Sequence, residues 1–121
     1  MGIKILAVDD SRTIRDMLAL VLGEAGYSVQ TAEDGQDALD TLDGFEPDVI
    51  ISDINMPRLD GFGFVQAVRR IDRYRATPIL VLTTESAPEL KAWARAAGAT
   101  GWIVKPFDAQ KLIRAIQMVA G

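Results

Sequence analysis

Three kinds of side chain in this sequence are placed to do chemistry together: the acids Asp9, Asp10 and Asp53, the hydroxyls of Thr83 and Thr84, and the amine of Lys105. Carboxylates gathered within a few ångströms repel one another, so such a group either raises a pKa or recruits a cation. The chain has no Cys and no His, which excludes thiolate and imidazole metal centres and leaves oxygen donors only. That donor set points to Mg²⁺, a cation held through one or two carboxylates together with a phosphate. A carboxylate can also attack phosphorus, giving an aspartyl phosphate. The cation would offset charge on the transferring group, Lys105 would hold another of its oxygens, and a Thr hydroxyl could bond a third.

For these residues to meet, the elements carrying them must converge, and the apolar periodicity says how. Ile3–Val8 is a short β-type run that stops at the paired acids. Ser11 caps a helix to about Ala25 through Ile14, Met17, Leu18, Val21 and Leu22. Tyr27–Ala32 is a weaker strand, and Asp34 or Gly35 begins a short helix ending near Gly44. Asp48–Ser52 reads as a strand buried on both faces, and a helix follows from about Gly61 to Ile71. Pro78–Leu82 and Gly101–Val104 are the last two strands. Ala87–Ala97 is the helix between them, and Asp108 caps a final helix through Leu112, Ile116 and Val119.

The pattern is (βα)₅ over residues 1–121 as one domain. It predicts an α/β, flavodoxin-like fold: a five-stranded parallel sheet of order 2-1-3-4-5 with helices on both faces. Asp9-Asp10, Asp53, Thr83-Thr84 and Lys105 all fall at carboxyl ends of strands, where ligands of such sheets bind. Singly, each has a plainer reading. Asp10 opens a helix, Asp53 starts a turn before Pro57, Thr83 fills a strand and Lys105 is solvated. Those readings do not explain why all four sit at strand ends and none at strand starts.

With these residues in view, the chain resembles the receiver domain of two-component response regulators along its whole length. The carriers are VDDS (Val8–Ser11), SDINMPRLDG (Ser52–Gly61), LTT (Leu82–Thr84) and KPF (Lys105–Phe107). The resemblance implies that Asp53 accepts a phosphoryl group from a sensor histidine kinase of the chemotaxis type. It implies Mg²⁺ ligated by Asp10, Asp53 and the backbone carbonyl of Asn55, with Asp9 acting through water. Thr83 would be the switch hydroxyl, Lys105 the partner of the phosphoryl group, and the Lys105-Pro106 bond cis. Trp102 takes the place of an aromatic residue that rotates inward on activation; the alternative is a fixed, half-exposed anchor beside the fourth helix. Asn55 and Glu85 would tune dephosphorylation, and Arg58 steers a kinase or is simply solvated.

The resemblance further implies an output through the fourth helix, fifth strand and fifth helix, exposing Lys91, Arg95, Trp102, Lys111 and Arg114 in some combination. The downstream target would be a partner such as the flagellar motor switch, and other phosphorelays remain open. No enzymatic activity is expected beyond the domain's own phosphorylation and dephosphorylation. A net charge of −4 argues against nucleic acid, and no apolar run approaches the ~20 residues of a membrane span. A cytoplasmic monomer is expected, and an end just after a complete fifth helix reads as stand-alone. Rival readings fit less well. A flavin phosphate loop would not carry Asp9-Asp10. The Gly61-Phe62-Gly63 start of a dinucleotide motif continues to Gln66. Pro57 and Arg58 occupy positions an EF-hand loop needs, and Asn55 breaks the DxD of the haloacid hydrolases. A phosphorylation-independent binding module is the stronger rival, but it would not need Asp53, Thr83 and Lys105.

Overall fold

The computed structural model describes residues 2–56, 59–84 and 86–120. Five strands are present: β1 (Lys4–Val8), β2 (Ser28–Ala32), β3 (Val49–Ser52), β4 (Ile79–Thr83) and β5 (Gly101–Val104). They alternate with α1 (Arg12–Glu24), α2 (Gly35–Thr41), α3 (Gly61–Arg69), α4 (Pro88–Ala97) and α5 (Ala109–Ala120). All pairings are parallel and the order is β2-β1-β3-β4-β5, the topology expected from the alternation.

The two-residue period of the strands divides the core. Leu6, Val8, Ile50 and Ile79 pack with Ala38 of α2, Leu42 at its carboxyl-terminal cap, and Phe64, Val65 and Val68 of α3. Their sequence neighbours Ile5, Ala7, Val49, Ile51, Leu80 and Leu82 point the other way, onto Leu18 and Leu22 of α1 and Leu112 and Ile116 of α5. A third and smaller cluster, Ile54, Val81 and Ala94, lies beneath α4, with Phe62, Ala99 and Trp102 against it.

The helix starts follow their capping residues. Ser11 Oγ accepts from Ile14 N (3.3 Å), Asp34 Oδ1 from Asp37 N (2.8 Å) and Asp60 Oδ1 from Gly63 N (2.8 Å). Asp108 Oδ1 accepts from Gln110 N and Lys111 N at the start of α5. Several boundaries differ from expectation: the second helix stops at Thr41, short of Gly44, and the fourth strand is Ile79–Thr83 rather than Pro78–Leu82. The third helix stops at Arg69 rather than reaching Ile71, and a 3₁₀ turn follows at Asp72–Tyr74. Arg70 N and Ile71 N bond three residues back, to Ala67 and Val68, so the last turn tightens and the stripe ends. Ile71 extended the apolar pattern in the sequence but stands at the surface.

Candidate functional site

Register brings the chemistry together. Val8 pairs with Ser52 across β1 and β3, so Asp9 and Asp53 leave the sheet side by side, and Asp53 N donates to Val8 O (2.9 Å). Thr83 pairs with Val104 across β4 and β5, and Lys105 N donates to Thr83 O (2.7 Å). Four strand ends thus deliver two acids, a hydroxyl and an amine to one edge.

The ammonium of Lys105 bridges the two buried acids. Its Nζ lies 2.6 Å from Asp9 Oδ2 and 3.3 Å from Asp53 Oδ2. The remaining carboxylate oxygens are held by the backbone: Asp9 Oδ1 accepts from Ser11 N (2.9 Å) and Asp53 Oδ1 from Ile54 N (2.7 Å). Each acid is therefore oriented from two sides. Asp9 is only 1% exposed, and burial lifts its pKa above the usual aspartate value. The Lys105 hydrogen bond, the Ser11 N–H and the Lys105 charge pull downward without overcoming burial, and the neighbouring Asp53 charge adds to the rise. Burial works against the Lys105 ammonium as well. There the hydrogen bond from Lys105 to Asp9 and the two negative charges outweigh it, leaving the lysine pKa above its ordinary value.

Asp10 is exposed and completes the acidic group: carboxylate oxygens of Asp9, Asp10 and Asp53 lie within 4.8 Å of one another. Three oxygen donors at that spacing, without nitrogen or sulfur, fit a hard divalent cation such as Mg²⁺. Asn55 is exposed two residues beyond Asp53, and Thr83 is fully buried as the last residue of β4. The Lys105-Pro106 peptide is cis. Trp102 is half-buried beside the Ile54, Val81 and Ala94 cluster. With Lys91 and Arg95 it lines a cavity of about 70 Å³ between α4 and β5. Lys111 and Arg114 are exposed on α5. Glu85, Pro57 and Arg58 lie outside the described residues.

Two further contributors carry no signal in the sequence. Arg15 on α1 donates from Nη1 to the backbone carbonyl of Asp9 (2.8 Å), fixing the turn that carries both amino-terminal acids. Leu59 ties the loop after Asp53 to α2, because Gly35 N donates to its carbonyl (3.2 Å). A Cβ on Gly35 would stand 2.9 Å from the Leu59 Cβ, so the loop lies against α2 only because that position lacks a side chain. Neither role has a local signature.

Residues 5–117 match the family profile described as the response regulator receiver domain. The chain belongs to that family. Among solved structures, this receiver domain is similar to the chemotaxis protein CheY4 of Vibrio cholerae, at 52% identity and a TM-score of 0.95, covering 98% of this chain and 99% of that one. It is also similar to the receiver domain of sensor histidine kinase PA1611 of Pseudomonas aeruginosa, at 28% identity and TM-score 0.92, covering 100% and 99% of the two chains. That structure is described with a magnesium ion coordinated in its active site cleft. Among curated proteins, PilG of Pseudomonas aeruginosa is 35% identical over 116 residues, 96% of this chain and 86% of PilG. The transcriptional regulatory protein PdtaR of Mycobacterium tuberculosis is 41% identical over 116 residues, 95% of this chain and 55% of PdtaR. The receiver domain thus spans about half the length of some curated relatives. No helix among the described residues is long and apolar enough to cross a membrane.

Because the single positive charge of Lys105 is already shared between Asp9 and Asp53, a divalent cation entering this site competes with an ammonium. Lys105→Met is expected to tighten Mg²⁺ binding at neutral pH by about tenfold, equivalent to ~1.4 kcal/mol. Titration calorimetry reads this directly, and unchanged or weaker binding would refute the competition.

Proposed function

We propose that this receiver accepts a phosphoryl group on Asp53 from a CheA-like sensor histidine kinase in a Mg²⁺-dependent reaction. It then signals through α4, β5 and α5 to a downstream partner in chemotaxis-type signalling. The observation that carries the reading is the Lys105 ammonium set on both Asp9 and Asp53, with Asp10 completing an oxygen-only acidic group beside them.

Asp53 Oδ2 is the attacking atom, since Oδ1 is committed to Ile54 N at 2.7 Å. A bond forms between Oδ2 and phosphorus as the donor's P–N bond breaks, and the electron pair leaves with the imidazole nitrogen. Lys105 stays within reach of a phosphoryl oxygen as negative charge moves from the donor to Asp53. Asp10, Asp53 and the Asn55 carbonyl would hold Mg²⁺, with Asp9 acting through water. When bound, the ion neutralises charge on the transferring group. Thr83, at the end of β4, is the hydroxyl placed to follow the new charge, and Trp102 reports the change at β5. Asn55 and Glu85 tune the lifetime of the acyl phosphate. The domain acts on no separate substrate; its chemistry is its own phosphorylation and dephosphorylation.

The similarity to the chemotaxis protein CheY4 supports a chemotaxis-type partner, of which the flagellar motor switch is one form. The exposed cations Lys91, Arg95, Lys111 and Arg114 suit an acidic docking segment on that partner. Intact-mass measurement after incubation with Mg²⁺ and a small acyl-phosphate donor tests the chemistry. A gain of one phosphoryl group, abolished by chelation, is expected. Mg²⁺ binding with no phosphoryl gain would make a phosphorylation-independent binding module the better account.

A further inference from the structure

Helix α4 has the fewest buried residues of the five described helices, and its two ends are held very differently. Ala94 is its one buried residue. Its amino-terminal cap, Ala87, offers no side-chain hydrogen bond, so Leu90 N and Lys91 N rely on the single carbonyl of Ala87. That end is joined to the strand carrying Thr83 by residues 84–87 of the chain.

The carboxyl-terminal end is clamped from α3. Arg69 Nε and Nη2 both donate to the carbonyl of Gly98, at 3.1 and 2.8 Å, and Nη1 donates to the carbonyl of Tyr74 at 2.8 Å. One guanidinium thus joins the end of α3, the 3₁₀ turn and the residue that closes α4. Gly98 is left-handed, with φ 115°, and a Cβ there would meet Arg69 Cγ at 2.8 Å, so the arginine stem lies directly on the closing residue. The side chain is half-buried, and burial draws its pKa below the ordinary arginine value. A planar fork of donors satisfies two carbonyl groups in a way a lysine cannot.

We infer that Arg69 is a positioning residue for the switch: it pins the Gly98 end of α4, so that events at Thr83 swing the helix about that end. This rests on the phosphorylation reading above. The fixed end keeps Ala94, Ala99 and Trp102 in their shared cluster while the uncapped end moves. Phosphorylation then changes the surface near Leu90 and Lys91 more than the surface near Gly98.

Amide hydrogen exchange along the single helix α4 separates this from a general stabilising role, because a global loss of stability speeds both ends alike. Wild type, Arg69→Met and the exposed-neighbour control Arg70→Met are compared with and without Mg²⁺ and acyl-phosphate donor, with intact mass recorded in parallel. In Arg69→Met the Gly98 and Ala99 amides should exchange on the order of tenfold faster relative to Leu90 and Lys91, the equivalent of one lost hydrogen bond. In phosphorylated wild type only the Leu90 and Lys91 end should speed up. Arg69→Lys, which keeps stem and charge without the fork, replaces Arg69→Met if that chain does not fold. An unchanged ratio between the two ends, or a uniform rise, overturns the clamp. Wild type that never gains phosphoryl mass overturns the phosphorylation reading instead, and the ratio measured without donor still decides the clamp.

Discussion

Asp53→Asn is expected to take up no phosphoryl group at all. The asparagine can keep the bond from Ile54 N through its Oδ1, so the backbone geometry that aims the side chain survives. What disappears is the anionic Oδ2 beside Lys105, and with it the nucleophile, because an amide nitrogen presents no comparable lone pair to phosphorus. The amide also turns N–H donors toward an ammonium that has only donors itself. Mg²⁺ affinity should fall as well, since one of three carboxylates is gone. Intact mass with Mg²⁺ and donor reads the first effect and calorimetry the second. Phosphoryl uptake at the wild-type rate would move the acceptor elsewhere, and the exposed Asp10 would be the first place to look.

The second large effect is expected at a residue with no chemistry of its own. Gly61 opens α3, and its N–H donates to Ile54 O (2.8 Å). A Cβ there would collide with the Asp53 carbonyl oxygen and stand 2.7 Å from the Ile54 Cα. These are backbone atoms of the acceptor loop, which cannot rotate aside as a side-chain tip can. Gly61→Ala should therefore destabilise the domain by about 3 kcal/mol, the upper part of the usual overpacking range. That corresponds to a melting temperature lower by roughly 10 °C, and phosphorylation should slow because Asp53 is displaced. Gly23→Ala supplies the opposite sign. Position 23 lies in α1 with nothing within 4 Å of the new Cβ, so a gain of up to ~1 kcal/mol is expected from helix propensity. Equal melting temperatures for the two variants would refute the close-approach account.

The parts of this molecule legible in its sequence share one physical property: their signal is local. The buried strands β3 and β4 declare themselves by unbroken apolar runs, and Asp9, Asp53 and Lys105 by falling immediately after such runs. Once alternation dictates a parallel sheet, strand ends become neighbours, so the acidic group and its lysine follow. What could not be read depends on distance in space rather than in sequence. Arg15 and Arg69 look like ordinary helical cations, yet each reaches a backbone carbonyl of another segment. The latch between Leu59 and Gly35 joins residues 24 positions apart, counting 59 minus 35. The end of α3 has no local signal, because no Gly or Pro marks it and the apolar Ile71 continues the stripe past the stop.

The three apolar clusters are unequal in a way that bears on how such a domain acquires new uses. The clusters beneath α1, α2, α3 and α5 hold most of the buried residues, and the acids and lysine ride on strands sandwiched between them. The cluster beneath α4 has three buried members. Substitutions on the outer face of α4 therefore put little of the fold at risk, while those on the other helices threaten the sheet that aims Asp53. Over evolutionary time, one surface can drift toward a new partner without disturbing the packing that aims the reaction centre. A lineage can inherit the chemistry unaltered and change only who listens to it.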